Sequence, residues 1–537
     1  MTAVGLRNTL AVTGTWAALV AVVLVSRPLM PLDETRYLSV AWEMWTRADF
    51  LVPYLNNAPY PHKPPLLFWI INAGWAVSGV GEWWARAVAP LFGLAGLFAA
   101  AGLFRLLWPD GAGRSRMVPW ILLGCLFWAV FTTVTMFDLM NVCFAAAAAA
   151  GTLLAWRGRP WTGWTLMGIA IGLGILAKGP VILVYVLPAP LLAPWWASPK
   201  PARWGAWYGG MALAVALGAA IALSWAIPAG RAGGEAYRAA ILWGQTAGRV
   251  SESFAHERPF WWYLPLVPAL LFPWPFWPRA WRAMRAVWRP EDSGTRFCLA
   301  WAVPAFIVLS AISGKQPHYL LPLFVPFALM LAAHLPLPGA GEQRSLAVPS
   351  LAVVAFGVLL TGLAVWLRAD AGLAEALGLE PWAREVPPVA GLLVVAAGAA
   401  AAFWPFRTPG GGVPVLAVQT VVVVIVVHAL VVRPVAFAYD LKAAAEFVGA
   451  VQDRGGEVGI EGEYHGQFHF VGRLTEPLVV VPAGEVRAWL AAIPERRLVV
   501  ATAKAPPAGA EADFVQPYRG RTLSIWGFAA YDAFAAP

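Results

Sequence analysis

The feature that most limits how this chain folds is a succession of apolar runs, each about 17 to 25 residues long and separated by short polar connections. A helix of that length matches the roughly 30 Å hydrocarbon layer, where every backbone N–H and C=O must be satisfied within the segment. The runs predict about thirteen spans, near residues 9–30, 85–107, 117–136, 139–156, 161–177, 179–196, 207–228, 262–278, 297–313, 317–335, 346–367, 388–406 and 413–432. The first run lacks a small-residue cleavage site before Asp33, so it reads as an uncleaved span. Composition agrees: 12% of residues are charged, about half the usual share in soluble domains, and the mean hydropathy is +0.64. The 31 tryptophans include pairs at the ends of apolar runs, Trp83-Trp84, Trp195-Trp196 and Trp261-Trp262, where indole anchors at headgroup level.

The net charge of +9 resides mostly in arginines of short loops, with no basic and aromatic groove of the kind that nucleic acid requires. Alternate connections differ in chemistry. One set carries Arg7; Arg105, Arg114 and Arg116; Arg157 and Arg159; Lys200 and Arg203; Arg279, Arg282, Arg285 and Arg289; Arg344; and Arg407. The positive-inside rule makes that set cytoplasmic. The other set, with long segments at 31–84 and 229–261, then faces the periplasm of a bacterial inner-membrane protein. Beyond Arg433 charge returns, and strand-like runs at 477–481, 497–503 and 522–528 flank a helix-like 483–493. The expected architecture is an α-helical polytopic membrane domain over 1–433 and a small periplasmic α/β domain over 434–537. Cys125, Cys143 and Cys298 lie in or beside apolar runs without CxxC spacing and read as small apolar side chains.

The chemistry-bearing residues fall on the periplasmic set. Asp33 and Glu34 follow the first span, and Asp138 interrupts two apolar runs, a position that costs about 2.5–3.5 kcal/mol on insertion scales. Each also has a bland reading as a helix N-terminal acid. Lys63, Lys178, Arg249 and Lys315 supply cations on that face, with snorkelling to the headgroups as the alternative, equally weighted for Lys178. In the tail, Glu461, Glu463, Tyr464, His465, His469 and Arg473 suggest a metal or sugar site, but they match no ligand spacing, which favours a polar hairpin.

In order along the chain stand 33–37 (DETRY), 43–44 (EM), 52–53 (VP), 63–64 (KP), Asp138, 178–179 (KG), Arg249, 256–265 (HERPFWWYLP), 274–275 (WP), and Lys315, Pro317 and Tyr319. With these motifs the sequence resembles the polytopic GT-C glycosyltransferases, the group that includes the lipid A aminoarabinose transferase and, more distantly, the protein O-mannosyltransferases. The resemblance implies periplasmic juxtamembrane helices over a cavity and an undecaprenyl-phosphate-linked sugar donor transferred with inversion. It makes Asp33 the essential acid, with Asp138 and Glu34 beside it. Lys63 and Arg249 hold the carrier phosphate, with Arg36, Tyr60, Tyr319 and Lys315 nearby. It implies no cofactor for catalysis. A structural zinc site of the relative is partly lost here, since His62 replaces an acid and Thr246 a histidine, leaving His62 and His256 as its remnant. The implied acceptor is lipid A or another envelope glycan, with membrane lipid around a monomer and no nucleic acid. A protein hydroxyl acceptor, or transport of a lipid-linked sugar, are the rival readings.

Overall fold

The computed structural model describes residues 3–243, 257–336, 345–370, 372, 379, 381–405, 411–502 and 511–535. Among them nine helices are long and apolar enough to cross a membrane. These include α1 (Ala3–Ser26), α4 (Glu82–Leu107), α7 (Asp138–Trp156) and α8 (Pro160–Lys178). The other expected spans are shorter or broken. Residues 117–136 contain α5 (Met117–Gly124) and α6 (Leu126–Phe131), separated at Cys125, whose ψ of 122° leaves the helical region. Residues 179–196 form three short helices, Ile182–Val186, Pro188–Leu191 and Ala193–Trp196, because Pro188, Pro190 and Pro194 each lack the N–H that a continuous helix needs. Tyr263–Leu270 and Val389–Ala402 are likewise short.

Lipid offers helices no hydrophobic drive to associate, so close packing of small residues takes its place. The α7–α8 pair shows how. A Cβ on Gly151 would sit 2.5 Å from the Gly163 carbonyl oxygen, and one on Gly163 would sit 2.4 Å from that of Gly151. That crossing sets the start of α7 beside the end of α8.

The two ends of the bundle differ as the loop chemistry predicts. At the arginine-rich end, Arg114 Nη1 donates to the carbonyls of Ala333 (2.6 Å) and Leu335 (3.0 Å), and Arg279 Nη2 to that of Pro336 (2.5 Å). At the other end lie the juxtamembrane helices α2 (Asp33–Arg47) and α3 (Leu66–Ser78), joined through the hairpin β1 (Tyr54–Leu55) and β2 (Ala58–Pro59). Asn56 and Asn57, at φ of 56° and 65°, make the tight turn, and the Glu43 carboxylate of α2 accepts both of their N–H groups.

The tail forms a five-stranded mixed sheet in the order β4-β3-β5-β7-β6, from β3 (Val458–Glu461), β4 (Val479–Val481), β5 (Arg497–Thr502), β6 (Phe514–Tyr518) and β7 (Arg521–Trp526). The sequence reading found β4, β5 and β7 but not β3 or β6. The β3 segment is only four residues long with a glycine inside, and β6 contains Pro517, tolerable because β6 is an edge strand. Nor is there a polar hairpin at 461–473: after β3 the chain turns through Gly462 and Gly466, both at positive φ, and packs on α2.

Candidate functional site

Asp33 opens α2, and its carboxylate is half-exposed, taking a hydrogen bond from Tyr37 Oη at 3.2 Å with Arg36 Nη1 3.9 Å away. Glu34, one residue on, points the other way because successive helical side chains diverge by about 100°. It is buried and forms an ion pair with Arg27. Its carboxylate also accepts the N–H groups of Met30 (2.8 Å) and Thr135 (2.8 Å), while Arg27 Nη2 donates to the Thr133 carbonyl at 2.7 Å. Burial alone pushes the Glu34 carboxyl up, but the Arg27 guanidinium and the two backbone donors hold it below the usual carboxylate range. Glu34 thus clamps α2 to the 132–137 turn, whereas it was expected among the catalytic acids. The clamp fixes Asp33 relative to Asp138, the residue that follows that turn.

Asp138 begins α7 and Lys178 ends α8, and the two form a buried ion pair. Gly179, at φ +85°, ends α8 and lets the chain turn directly after the lysine. Lys178 Nζ also lies 4.6 Å from the centre of the Tyr319 ring. Its position between these partners corrects the snorkelling alternative. The second oxygen of Asp138, Oδ2, is buried and has no hydrogen-bond partner among the described residues. His318 and Lys63 stand within electrostatic range of Asp138, as Lys63, Lys178 and Asp33 do of His318.

Lys63 follows the hairpin that Glu43 anchors, and its Nζ lies 5.6 Å from the Phe137 ring centre. Tyr60 is buried, with its ring 5.2 Å from that of His62 in an edge-on arrangement. Tyr37 bridges the group: Phe137 meets it edge-on at 4.8 Å, and burial, then Asp33, push its hydroxyl well above the ordinary range. His318 stacks on Phe131 at 5.4 Å and meets Tyr319 edge-on at 4.9 Å.

The structure therefore gathers Asp33, Arg36, Tyr60, Lys63, Asp138 and Tyr319, and adds Lys178, His318 and Tyr37, whose roles local sequence leaves open. The signal for His318 was its place in the Lys315–Tyr319 segment. Lys315 does not join them. It is buried, and its Nζ donates to the carbonyls of Arg258 (2.8 Å) and Ile312 (2.5 Å), stapling one loop to another rather than facing the cluster where a part in phosphate binding was expected. Arg249 and His256 lie outside the described residues. His62 is exposed, and among the described residues no three His, Cys, Asp or Glu side chains group as metal ligands.

Residues 62–225 match the dolichyl-phosphate-mannose-protein mannosyltransferase family. The undecaprenyl phosphate-alpha-4-amino-4-deoxy-L-arabinose arabinosyl transferase of Pseudomonas paraeruginosa is 30% identical over 397 residues, 70% of this chain and 67% of that protein. The chain belongs to the ArnT-like family of polytopic glycosyltransferases. A relative of the same name from Erwinia tasmaniensis is 30% identical over 66% of this chain, which spans 62% of that protein's length. The ArnT fold extends over the whole molecule. The crystal structure of ArnT from Cupriavidus metallidurans bound to undecaprenyl phosphate superposes with a TM-score of 0.74, covering 100% of both chains at 20% identity. The ArnT-like fold makes this a multi-pass membrane protein whose polar cluster sits at one end of the helix bundle.

Proposed function

We propose that this protein is an inverting glycosyltransferase that moves a sugar from undecaprenyl phosphate to an acceptor on the periplasmic side of the inner membrane, lipid A or another envelope glycan. The observation that carries the reading is the meeting of one half-exposed acid, Asp33, with Lys63 and the buried Asp138–Lys178 pair at the bundle end opposite the arginines. The names of the relatives support the donor class.

The chemistry follows from the charges. As the bond between the anomeric carbon and the phosphate oxygen breaks, its electron pair goes to the phosphate, which leaves as a monoester dianion. Lys63 and Lys178 stand where cations in a water-poor site stabilise that developing charge. Asp138, one oxygen bound to Lys178, fixes the direction of the ammonium group. Arg249 is assigned to the same phosphate from its motif. On the far side of the sugar, Asp33 takes the proton from an acceptor hydroxyl; for an acceptor that is already an ionised phosphate, it stabilises positive charge on the ring. These groups supply the electrostatic work of the transfer with side chains alone, and we propose that no metal takes part.

Asp33→Asn tests this. With undecaprenyl-phosphate-linked 4-amino-4-deoxy-L-arabinose as donor and lipid A as acceptor, transfer read by mass spectrometry should fall by about 10²–10⁴-fold. Unchanged transfer by a folded Asp33→Asn protein would sink the assignment. Flux of the donor across liposomes without glycosylated product would favour transport instead.

A further inference from the structure

The segment 462–474 of the C-terminal domain reaches into the candidate site. Ser39 Oγ, on α2, donates to the Gly466 carbonyl at 2.7 Å and accepts the Phe470 N–H at 3.0 Å, and Trp42 Nε1 donates to the Leu474 carbonyl at 2.8 Å. Phe470 stacks on Trp75 of α3 at 5.4 Å with the rings 3° from parallel. Gly466 has φ +77°, a backbone conformation that favours glycine, and its Cα packs close to α2: a Cβ there would lie 2.5 Å from Leu55 Cδ1 and 3.5 Å from the Arg36 Cα. Within the loop, Tyr464 Oη and His469 Nδ1 are hydrogen-bonded at 2.6 Å, and the Phe468 N–H donates to Tyr464 Oη at 3.1 Å.

That docking fixes the residue before Gly466. The His465 N–H donates to Gln467 Oε1 at 2.8 Å, its Nε2 lies 3.3 Å from Glu463 Oε2, and its side chain is about one-third exposed (35%). It stands in electrostatic range of both Arg36 and Asp33, and the adjacent Gly466 packs against the Arg36 backbone. The phosphate-directed cations Lys63 and Lys178 lie on the membrane helices and the 60–65 segment, whereas His465 comes from a separate domain. Burial, and then the Arg36 guanidinium, hold its imidazole below the ordinary range, so near pH 7 it is neutral with one ring N–H; with Nε2 facing the Glu463 carboxylate, Nδ1 is left to accept.

We propose that His465, set by Glu463 and by the Gly466 contact with α2, is an acceptor-binding residue whose Nδ1 accepts a hydrogen bond from a hydroxyl of the acceptor beside Asp33. The inference rests on the transferase reading above and gives the C-terminal domain a part in that reaction. The acceptor must meet Asp33 from the face opposite the leaving phosphate, and His465 is a side chain that the C-terminal segment brings within electrostatic range of that acid.

Steady-state kinetics with undecaprenyl-phosphate-linked 4-amino-4-deoxy-L-arabinose and lipid A test it. His465→Ala should raise the acceptor KM about fivefold to tenfold, the loss of one hydrogen bond, while the donor KM stays within about twofold. His465→Gln, which keeps a donor and an acceptor, should recover most of that loss. An unchanged acceptor KM, or equal rises in both KM values, would overturn the proposal. Should His465→Ala fail to fold by size-exclusion chromatography, the exposed Glu463→Gln serves instead, with an acceptor KM raised about twofold to threefold; no rise overturns it. Absence of transfer by the wild-type protein, together with identical lipid A and envelope glycans in deletion and wild-type strains by mass spectrometry, would overturn the transferase reading and this inference together, whereas normal wild-type kinetics with an unshifted His465→Ala would overturn the inference alone.

Discussion

Two buried ion pairs lie at the same end of the bundle, and they are built differently. In the Arg27–Glu34 pair, both carboxylate oxygens are taken by the guanidinium and by the backbone N–H groups of Met30 and Thr135. In the Asp138–Lys178 pair, one carboxylate oxygen has no hydrogen-bond partner among the described residues, and His318 and Lys63 stand in electrostatic range. A saturated pair holds chain segments together, whereas an unsaturated one keeps bonding capacity for something that arrives later. An unpaired buried carboxylate oxygen costs stability, of order 1–3 kcal/mol or more, and native proteins tolerate that mainly at functional sites.

The largest effect should come from breaking the saturated pair. Glu34→Gln leaves Arg27 buried with an uncompensated charge, and removing one partner of such a pair costs about 3–5 kcal/mol. We expect a large fall in the thermal midpoint of the detergent-purified protein, with activity per folded molecule reduced far less. A Glu34→Gln protein as stable as wild type but inactive would return Glu34 to the catalytic acids and dissolve the contrast between the two pairs.

Lys63→Met should do the reverse. Lys63 lies over the Phe137 ring, and methionine keeps much of its apolar stem. Transfer should fall about 10²–10³-fold, the usual cost of removing one group that stabilises developing negative charge, with little change in the thermal midpoint. A parallel loss of stability and activity would place Lys63 with the structural residues.

The limits of the sequence reading follow the same division. Asp33, Lys63 and Asp138 were legible because an ionisable side chain beside apolar runs is costly and calls for a reason. The Arg27 partner of Glu34 was not legible because adjacency in sequence says nothing about which side of α2 a residue faces. Lys178 stayed undecided because the residue that settles it, Asp138, is 40 positions away, across a helix crossing that Gly151 and Gly163 make possible. Lys315 looked like a phosphate ligand by charge, yet its ammonium group is used on two carbonyls, a choice that local sequence does not encode. The docking of 462–474 on α2 was hidden for the same reason: its determinants, Ser39 and Gly466, are 427 residues apart.

That docking carries the smallest effect and the one most open to pH. His469 is buried, with Nε2 3.9 Å from Glu43 Oε1, and burial lowers its pKa to about 4 from the ordinary 6.5. A histidine whose folded-state value is depressed contributes stability in full above about pH 6.5 and loses it as pH falls toward about 4, because the unfolded chain takes up the proton first. Glu43 works in the opposite direction: burial raises its carboxyl, so its contribution weakens as pH rises through that raised value. At pH 5.5 the histidine alone should cost about 1 kcal/mol relative to pH 8, seen as earlier proteolysis or faster hydrogen exchange across 462–474. His469→Gln should remove the dependence that belongs to the imidazole and leave that of Glu43. If the wild-type segment instead holds equally well at pH 8 and pH 5.5, the docking does not rest on a neutral His469, and the Ser39 and Phe470 contacts must hold the soluble domain to α2 without it.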